Sequence, residues 1–229
     1  MKDIILIATI KDWNINNFYE FKKKFEDKYN LYLITNKDDL IYQNVKDLNP
    51  KYIFFPHWSW LIPNEIYKNY ECILFHMTDL PYGRGGSPLQ NLITNKIYNT
   101  KISAIKVTKE LDEGDIYLKE NFDISKGSAR EIYENASNLI FSELIPKIIE
   151  NNLIPTKQAG EIVIFKRRTP EQSNIKTLND ISINNLYDFI RMLDAPSYPK
   201  AYIELDNLKI ELSEVIIKDG KLEGRFEVS

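Results

Sequence analysis

Residues 3–9 (DIILIAT) are apolar almost without interruption, the pattern of a strand buried on both faces. The pattern then changes period. Phe18, Phe21 and Phe25 recur three and four residues apart, with Lys22, Lys23 and Lys24 between them, which predicts an amphipathic helix over 14–29. Apolar runs return at 31–35, at 52–55 before Pro56, and at 71–75, with a short helix over 37–45 and a helical turn over 64–70 between them. This β-α-β-α-β alternation predicts a mostly parallel, twisted sheet with helices on its faces and right-handed crossovers. The fold class is α/β, Rossmann-like in topology. No GxGxxG follows the first strand, so the dinucleotide fingerprint is absent.

Ser87-Pro88 reads as the start of a helix running to Thr94, the serine capping free amides and the proline fitting the first helical position. Alternating segments at 101–108 and 115–122 flank a turn at LDEG (111–114). Ser128 and Glu131 form a capping box ahead of a long helix that carries Ile132, Ala136, Leu139 and Ile140 on one face. After Asn152 the character shifts to a short strand at 162–165, a basic loop at 167–173, a helix around Leu186–Leu193, and strands at 202–205, 208–215 and 222–228. Asp219-Gly220 is a hairpin signal between the last two. The sequence thus predicts a core over 1–152 and a small α+β tail, with a β-hairpin, over 153–229.

Composition narrows the chemistry. The chain has 229 residues and a net charge of −3, which argues against a protein that grips nucleic acid through phosphates. Cys72 is the only cysteine, and His57 and His76 are the only histidines, so neither a disulfide nor a metal centre built on these residues is expected. No apolar stretch approaches the ~20 residues of a membrane span. The N-terminus lacks the marks of a signal peptide, and the expected compartment is the cytoplasm.

The candidate chemistry centres on FHMTDLPYGRGGSPLQ (75–90). His76 ends a strand ahead of a glycine-rich loop, where open α/β sheets build their sites. It is either a general acid or base or a half-buried structural histidine. Asp112, in the acidic turn ELDEGD, is either a functional carboxylate or a plain turn residue. Arg84, between glycines, is suited to an anion or to a solvated loop. FPHWSWLIP (55–63) places aromatic and aliphatic residues where they line a pocket for a flat ring, or pack a strand end.

Together these stretches resemble the folate-dependent formyltransferase family. Its members carry a motif similar to Asn-x-His-Pro-Ser-Leu-Leu-Pro, a Tyr-Arg-Gly loop, and a later Leu-Asp-x-Gly turn. Here the two motifs are LFHMTDLPYGRGGSPLQ and VTKELDEGDI, with Asp112 lying 36 residues after His76. FKRRTPEQS (165–173) and FIRMLDAPSYPKAYIELDN (189–207) resemble the tail segments of longer members. The resemblance implies that His76 relays the proton of an attacking amine and that Asp112 orients and charges the imidazole. It implies 10-formyltetrahydrofolate as co-substrate, held at Trp60, Leu61, Ile62, Leu111, Gly114 and Asp115, and no metal. One position departs. The family's asparagine, which helps hold the formyl oxygen, is Leu74 here, and a missing oxyanion donor costs ~10²–10³ in rate. Thr78, Gln90, Asn91 or a loop amide are the candidate substitutes.

Among the branches, the wording of residues 76–90 is most similar to the sugar N-formyltransferases of surface polysaccharide biosynthesis. That implies a nucleotide-diphosphate amino sugar as acceptor, UDP-linked 4-amino-dideoxy or dTDP-linked. Tyr82, Gly83, Arg84, Gly85, Gly86 and Gln90 would contact it. No nucleic-acid or membrane partner is implied, and a homodimer through SYPKAYIEL is left open. The alternatives are a formyltetrahydrofolate hydrolase, or a weak folate- or sugar-binding relative in which Leu74 has removed the oxyanion donor.

Overall fold

β1 (Ile4–Ala8) is buried along nearly its whole length, as its uninterrupted apolar run predicts. The structure, a computed structural model, describes residues 2–229. α1 (Asp12–Phe25) follows, turning Phe18, Phe21 and Phe25 inward, and ends earlier than the pattern predicts. β2 (Asn30–Ile34), α2 (Tyr42–Leu48), β3 (Tyr52–Phe55), α3 (Asn64–Asn69) and β4 (Glu71–His76) complete the predicted alternation. β1 pairs in parallel with both β2 and β3, and β3 pairs in parallel with β4. The other edge reverses: β6 (Asn99–Lys106) runs antiparallel to β4, and β7 (Ile116–Asp123) lies beyond it. The sheet order is β2-β1-β3-β4-β6-β7. Leu6, Ala8, Val45, Ile53, Phe55, Ile66, Cys72 and Val107 form a core cluster on this sheet.

β5 (Tyr82–Gly85) lies inside the stretch that the sequence marks as a glycine loop. It pairs with β8 (Val163–Phe165) in a two-stranded ladder. A lone short strand with two glycines carries no periodicity, and only the partner supplied from far along the chain makes it one. α4 (Pro88–Thr94) starts as predicted, but Ser87 does not cap it with its side chain. Ser87 sits in the left-handed region at φ 52°, and its Oγ accepts from the Arg168 N–H at 3.0 Å. The Ser128–Glu131 capping box is present, with Ser128 N–H donating to Glu131 Oε2 at 2.7 Å. It opens α5 (Ala129–Leu139), which passes through a π-helical turn (Ile140–Leu144) into α6 (Ile145–Asn151). α7 (Ile183–Arg191) precedes an antiparallel sheet of β9 (Ala201–Leu205), β10 (Leu208–Lys218) and β11 (Lys221–Val228).

The chain forms two compact units, neither contiguous. One comprises Met1–Arg84, Lys101–Phe122 and Glu134–Val163, and the other Gly85–Thr100, Asp123–Tyr133 and Ile164–Ser229. Packing therefore partitions the chain differently from the single boundary at 152/153. Among the described residues no helix is long and apolar enough to cross a membrane, and no cluster of His, Cys, Asp and Glu could hold a metal ion.

Candidate active site

His76 is the last residue of β4, opposite Ser103 on β6. Its ring is buried between two acceptors. Nε2 lies 2.8 Å from the Gly83 carbonyl oxygen. A carbonyl only accepts, so this contact places a proton on Nε2. Nδ1 lies 3.6 Å from Asp112 Oδ1, facing it from just beyond hydrogen-bond distance. Thr78 Oγ1 donates to the same Gly83 carbonyl at 3.3 Å. Ser103 Oγ donates to Thr78 O at 2.7 Å and accepts from the Leu80 N–H at 3.3 Å. The loop after His76 is thereby stitched to the neighbouring strand, which brings Gly83 back to the imidazole.

Asp112 is buried in the turn between β6 and β7, with its backbone at φ 55°. That left-handed conformation is costly for a residue with a Cβ, and aspartate is among the few that adopt it. Two residues on, Gly114 passes so close to Lys106 that a Cβ would collide with its carbonyl oxygen. Gln158 braces the turn: Nε2 donates to Asp112 O and to Gly114 O, both at 2.8 Å. Its Oε1 accepts from Arg84 Nε at 3.1 Å and Nη2 at 2.9 Å, and Arg84 Nη1 contacts Glu113 Oε1 at 2.9 Å. Arg84, expected to meet an anion, is engaged within the protein. Earlier in the same loop, Asp79 is flanked by Lys119 at 2.5 Å and Lys101 at 3.0 Å. Its partial burial opposes ionisation, but the two ammonium groups prevail and hold its carboxyl below the usual range.

The residues assigned to the folate lie in this same unit. Trp60 is 39% exposed, Leu61 92% and Leu111 67%, while Ile62 and Asp115 are partly covered. Trp58 packs edge-on to Trp60 at 5.2 Å, and its buried Nε1 finds no hydrogen-bond partner among the described residues. Exposed apolar groups beside an orphaned donor suit a flat heterocycle with acceptor atoms. His57, next to Trp58, has φ 53° and stands 5.6 Å from the Trp13 ring. Burial, with a lesser push from the Lys11 charge, lowers its pKa to about 4.

Gly85, Gly86 and Gln90 belong to the second unit. There Gln90 Nε2 donates to Met192 O at 2.9 Å, and Asn91 Nδ2 reaches Gly86 O and Lys166 O, each at 3.0 Å. A Cβ on Gly86 would press on Arg167. Leu74 packs against the core cluster. The side chains expected to replace the family asparagine (Thr78, Gln90 and Asn91) are thus each bonded to backbone carbonyls. Gln158, Ser103 and the Gly83 carbonyl escaped the sequence reading. Gln158 lies outside every motif, and the turn it braces meets it through backbone carbonyls, which leave no mark in a sequence.

A solved structure, methionyl-tRNA formyltransferase from Clostridium thermocellum, is 50% identical to this chain, covers 99% of each, and superposes with a TM-score of 0.95. This chain belongs to the formyltransferase family. The family model for the methionyl-tRNA formyltransferase C-terminal domain matches residues 170–229. A methionyl-tRNA formyltransferase of Campylobacter jejuni is 25% identical over 189 residues, 81% of this chain and 61% of its own length. The chain spans 52% to 61% of the length of the first such curated relatives. The fold alone is shared with HypX from Aquifex aeolicus in complex with tetrahydrofolic acid (TM-score 0.73, 18% identity, 95% of this chain and 39% of that one). It is also shared with a 4-N formyltransferase from Francisella tularensis (TM-score 0.66, 18% identity, 97% and 96%).

These findings correct two expectations. The sugar N-formyltransferases are distant from this chain, whereas its 50% identical relative and its curated relatives are named for methionyl-tRNA. The nucleotide-sugar acceptor, and the exclusion of a nucleic-acid partner, are therefore withdrawn. The physical reason lies in what residues 76–90 do. Gly83 O, Arg84, Gln90 and Asn91 are bonded to the protein itself, so the wording of that stretch reports how the loop is built and not what it receives. The charge of −3 is an average over the chain and does not describe any one face.

Proposed function

We propose that this protein moves a formyl group from 10-formyltetrahydrofolate to the α-amino group of an aminoacylated tRNA, with methionyl-tRNA as the acceptor. The observation that carries the reading is the buried His76–Asp112 pair at the end of β4, with Nδ1 3.6 Å from the carboxylate. It stands in a chain 50% identical across 99% of its length to a protein named for that reaction.

Trp60, Leu61, Ile62 and Leu111 provide an apolar wall for the pterin ring, with Gly114 and Asp115 at the turn beside it. The Trp58 N–H is a donor for one of its acceptor atoms. When bound, the folate supplies an activated formyl carbon; the protein supplies the proton chemistry. The acceptor amine attacks as the neutral base and must lose a proton as the new C–N bond forms. His76 takes that proton on Nε2. For this the ring first carries its hydrogen on Nδ1, facing Asp112, and Nε2 turns from the Gly83 carbonyl to the amine. Asp112 then offsets the charge of the doubly protonated ring. The Nε2–H so formed is a donor toward the formyl oxygen, in the part that Leu74 cannot play. The new C–N bond replaces the bond between the formyl carbon and the folate nitrogen, and the same Nε2–H would return its proton to that departing nitrogen, so that tetrahydrofolate leaves and His76 is neutral again.

The test uses formyl-labelled 10-formyltetrahydrofolate with charged methionyl-tRNA and, as control, uncharged tRNA. Label is expected in N-formylmethionine on the charged tRNA alone, with turnover reduced at least ~100-fold in His76→Asn. No label on charged tRNA at stoichiometric enzyme overturns the acceptor. Wild-type turnover by His76→Asn overturns the role of the histidine.

A further inference from the structure

We infer that Gln158 is a positioning residue for the His76–Asp112 pair, holding the turn that carries Asp112 and locking it to the loop that carries Gly83. The inference rests on the roles given to His76 and Asp112 above.

A carboxamide has two N–H donors and two lone pairs on its oxygen. At Gln158 all four are used, and they are divided between two segments. The donors meet Asp112 O and Gly114 O, each at 2.8 Å. The oxygen meets Arg84 Nε at 3.1 Å and Nη2 at 2.9 Å. Arg84 directly follows Gly83, whose carbonyl is 2.8 Å from His76 Nε2. The contacts close a ring: His76, Gly83, Arg84, Gln158, Asp112, and back to His76 through Nδ1 at 3.6 Å. Both groups that face the imidazole are therefore tied to one amide.

The chemistry explains the choice of residue. The Asp112 turn presents two carbonyls, which need donors, and the Arg84 guanidinium needs an acceptor. Only a primary amide offers both from one plane. A glutamate would grip Arg84 through its oxygens but would set a carboxylate against two carbonyl oxygens. A lysine would do the reverse. Asp112 holds a left-handed backbone, so its carboxylate points at Nδ1 only while the turn keeps that shape. Gln158 acts on the imidazole through Asp112 and does not touch the reacting atoms.

The experiment compares Gln158→Glu and Gln158→Met with wild type in the formyl-transfer assay and by NMR of the histidine rings. The chain has two histidines, so the His76 and His57 signals are separable by assigning one in His57→Asn. Both variants are expected to lose kcat by about 10- to 100-fold while KM for either substrate stays within about threefold. Their His76 ring signals should move while those of His57 stay in place, a change that loss of a remote structural contact would not produce. Wild-type kcat, or unmoved His76 signals in the folded variants, overturns the inference. If neither variant folds, Gln158→Asn, which keeps the amide but withdraws it by one methylene, carries the same two readouts. His76→Asn and Asp112→Ala separate the levels. If they are inactive while the Gln158 variants match wild type, only this inference fails. If they turn over normally, the proposed function itself falls, and the NMR readout still decides whether Gln158 places Asp112 against the ring.

Discussion

The two histidines show how far one residue's fate depends on its surroundings. His76 ends β4, and His57 lies two residues beyond the end of β3 in the same sheet; both follow an apolar run. His76 is met by two acceptors, a carbonyl and a carboxylate. His57 is met by the Trp13 ring and the Lys11 charge, and burial pushes its pKa down to about 4. This has a consequence for acid stability. The unfolded chain binds a proton at His57 near pH 6.5, whereas the folded chain does so only near pH 4. Between these values the unfolded state holds more protons, so stability rises with pH across the window and is complete above it. As pH falls from 6.5 to 4, up to about 3 kcal/mol is lost at this residue. His57→Asn, which tolerates the left-handed backbone, should flatten that limb of the urea-unfolding free energy against pH. An unchanged limb would show that the imidazole is not held neutral. At the same scale, Leu74 shows what a substitution alone conveys. The sequence reveals a lost amide, while the structure reveals that the leucine is tied into the core cluster.

Elements explain why the site sits where it does. β4 is the hinge of the sheet's polarity: its parallel partner is β3 and its antiparallel partner is β6. The carboxyl end of β4 therefore meets the middle of β6, where Ser103 ties down the loop after His76. The turn between β6 and β7 returns Asp112 to the same place. Its tightness depends on Gly114, where the backbone brushes the Lys106 carbonyl. Gly114→Ala forces β6 and the turn apart, and the cost is expected to be at least about 2 kcal/mol, or on the order of 5 °C in melting temperature. The measurement is a thermal melt together with kcat. A variant that melts and turns over like wild type would show that the close approach relaxes without moving Asp112.

For the whole molecule, the charge balance returns with a different meaning. A net charge of −3 is compatible with binding tRNA when the cations lie together, and Lys166-Arg167-Arg168 is such a run in the second unit. If the acceptor is a tRNA, its KM must rise with salt through counterion release, by roughly tenfold or more between ~50 and ~200 mM if two or three phosphates are neutralised. A KM for methionyl-tRNA that is flat over that range would remove the nucleic acid from the proposal. The folate, which brings no polyphosphate backbone, serves as the internal control.

Much of this was legible in the sequence. Uninterrupted apolar runs mark the parallel strands of the main sheet, alternation marks 101–108 and 115–122, and period 3.6 marks the amphipathic helices, because side-chain direction follows from local backbone geometry. The hairpin at Asp219-Gly220 and the capping box at Ser128 are equally local, and both are present, the former with φ values of 49° and 72°. The pairing of His76 with Asp112 was legible only through resemblance, since 36 residues and two strands separate them. The sequence alone could not supply the partners of atoms. β5 becomes a strand because β8 comes to it, Ser87 loses its cap to Arg168, and Arg84 turns from an anion-binding candidate into one end of a brace through Gln158. Such contacts join residues far apart in the chain, many of them through backbone carbonyls and amides that every residue carries alike. Residue types and their spacing therefore determined the elements and the chemistry that was available, while the tertiary structure decided which hydrogen bonds use it up.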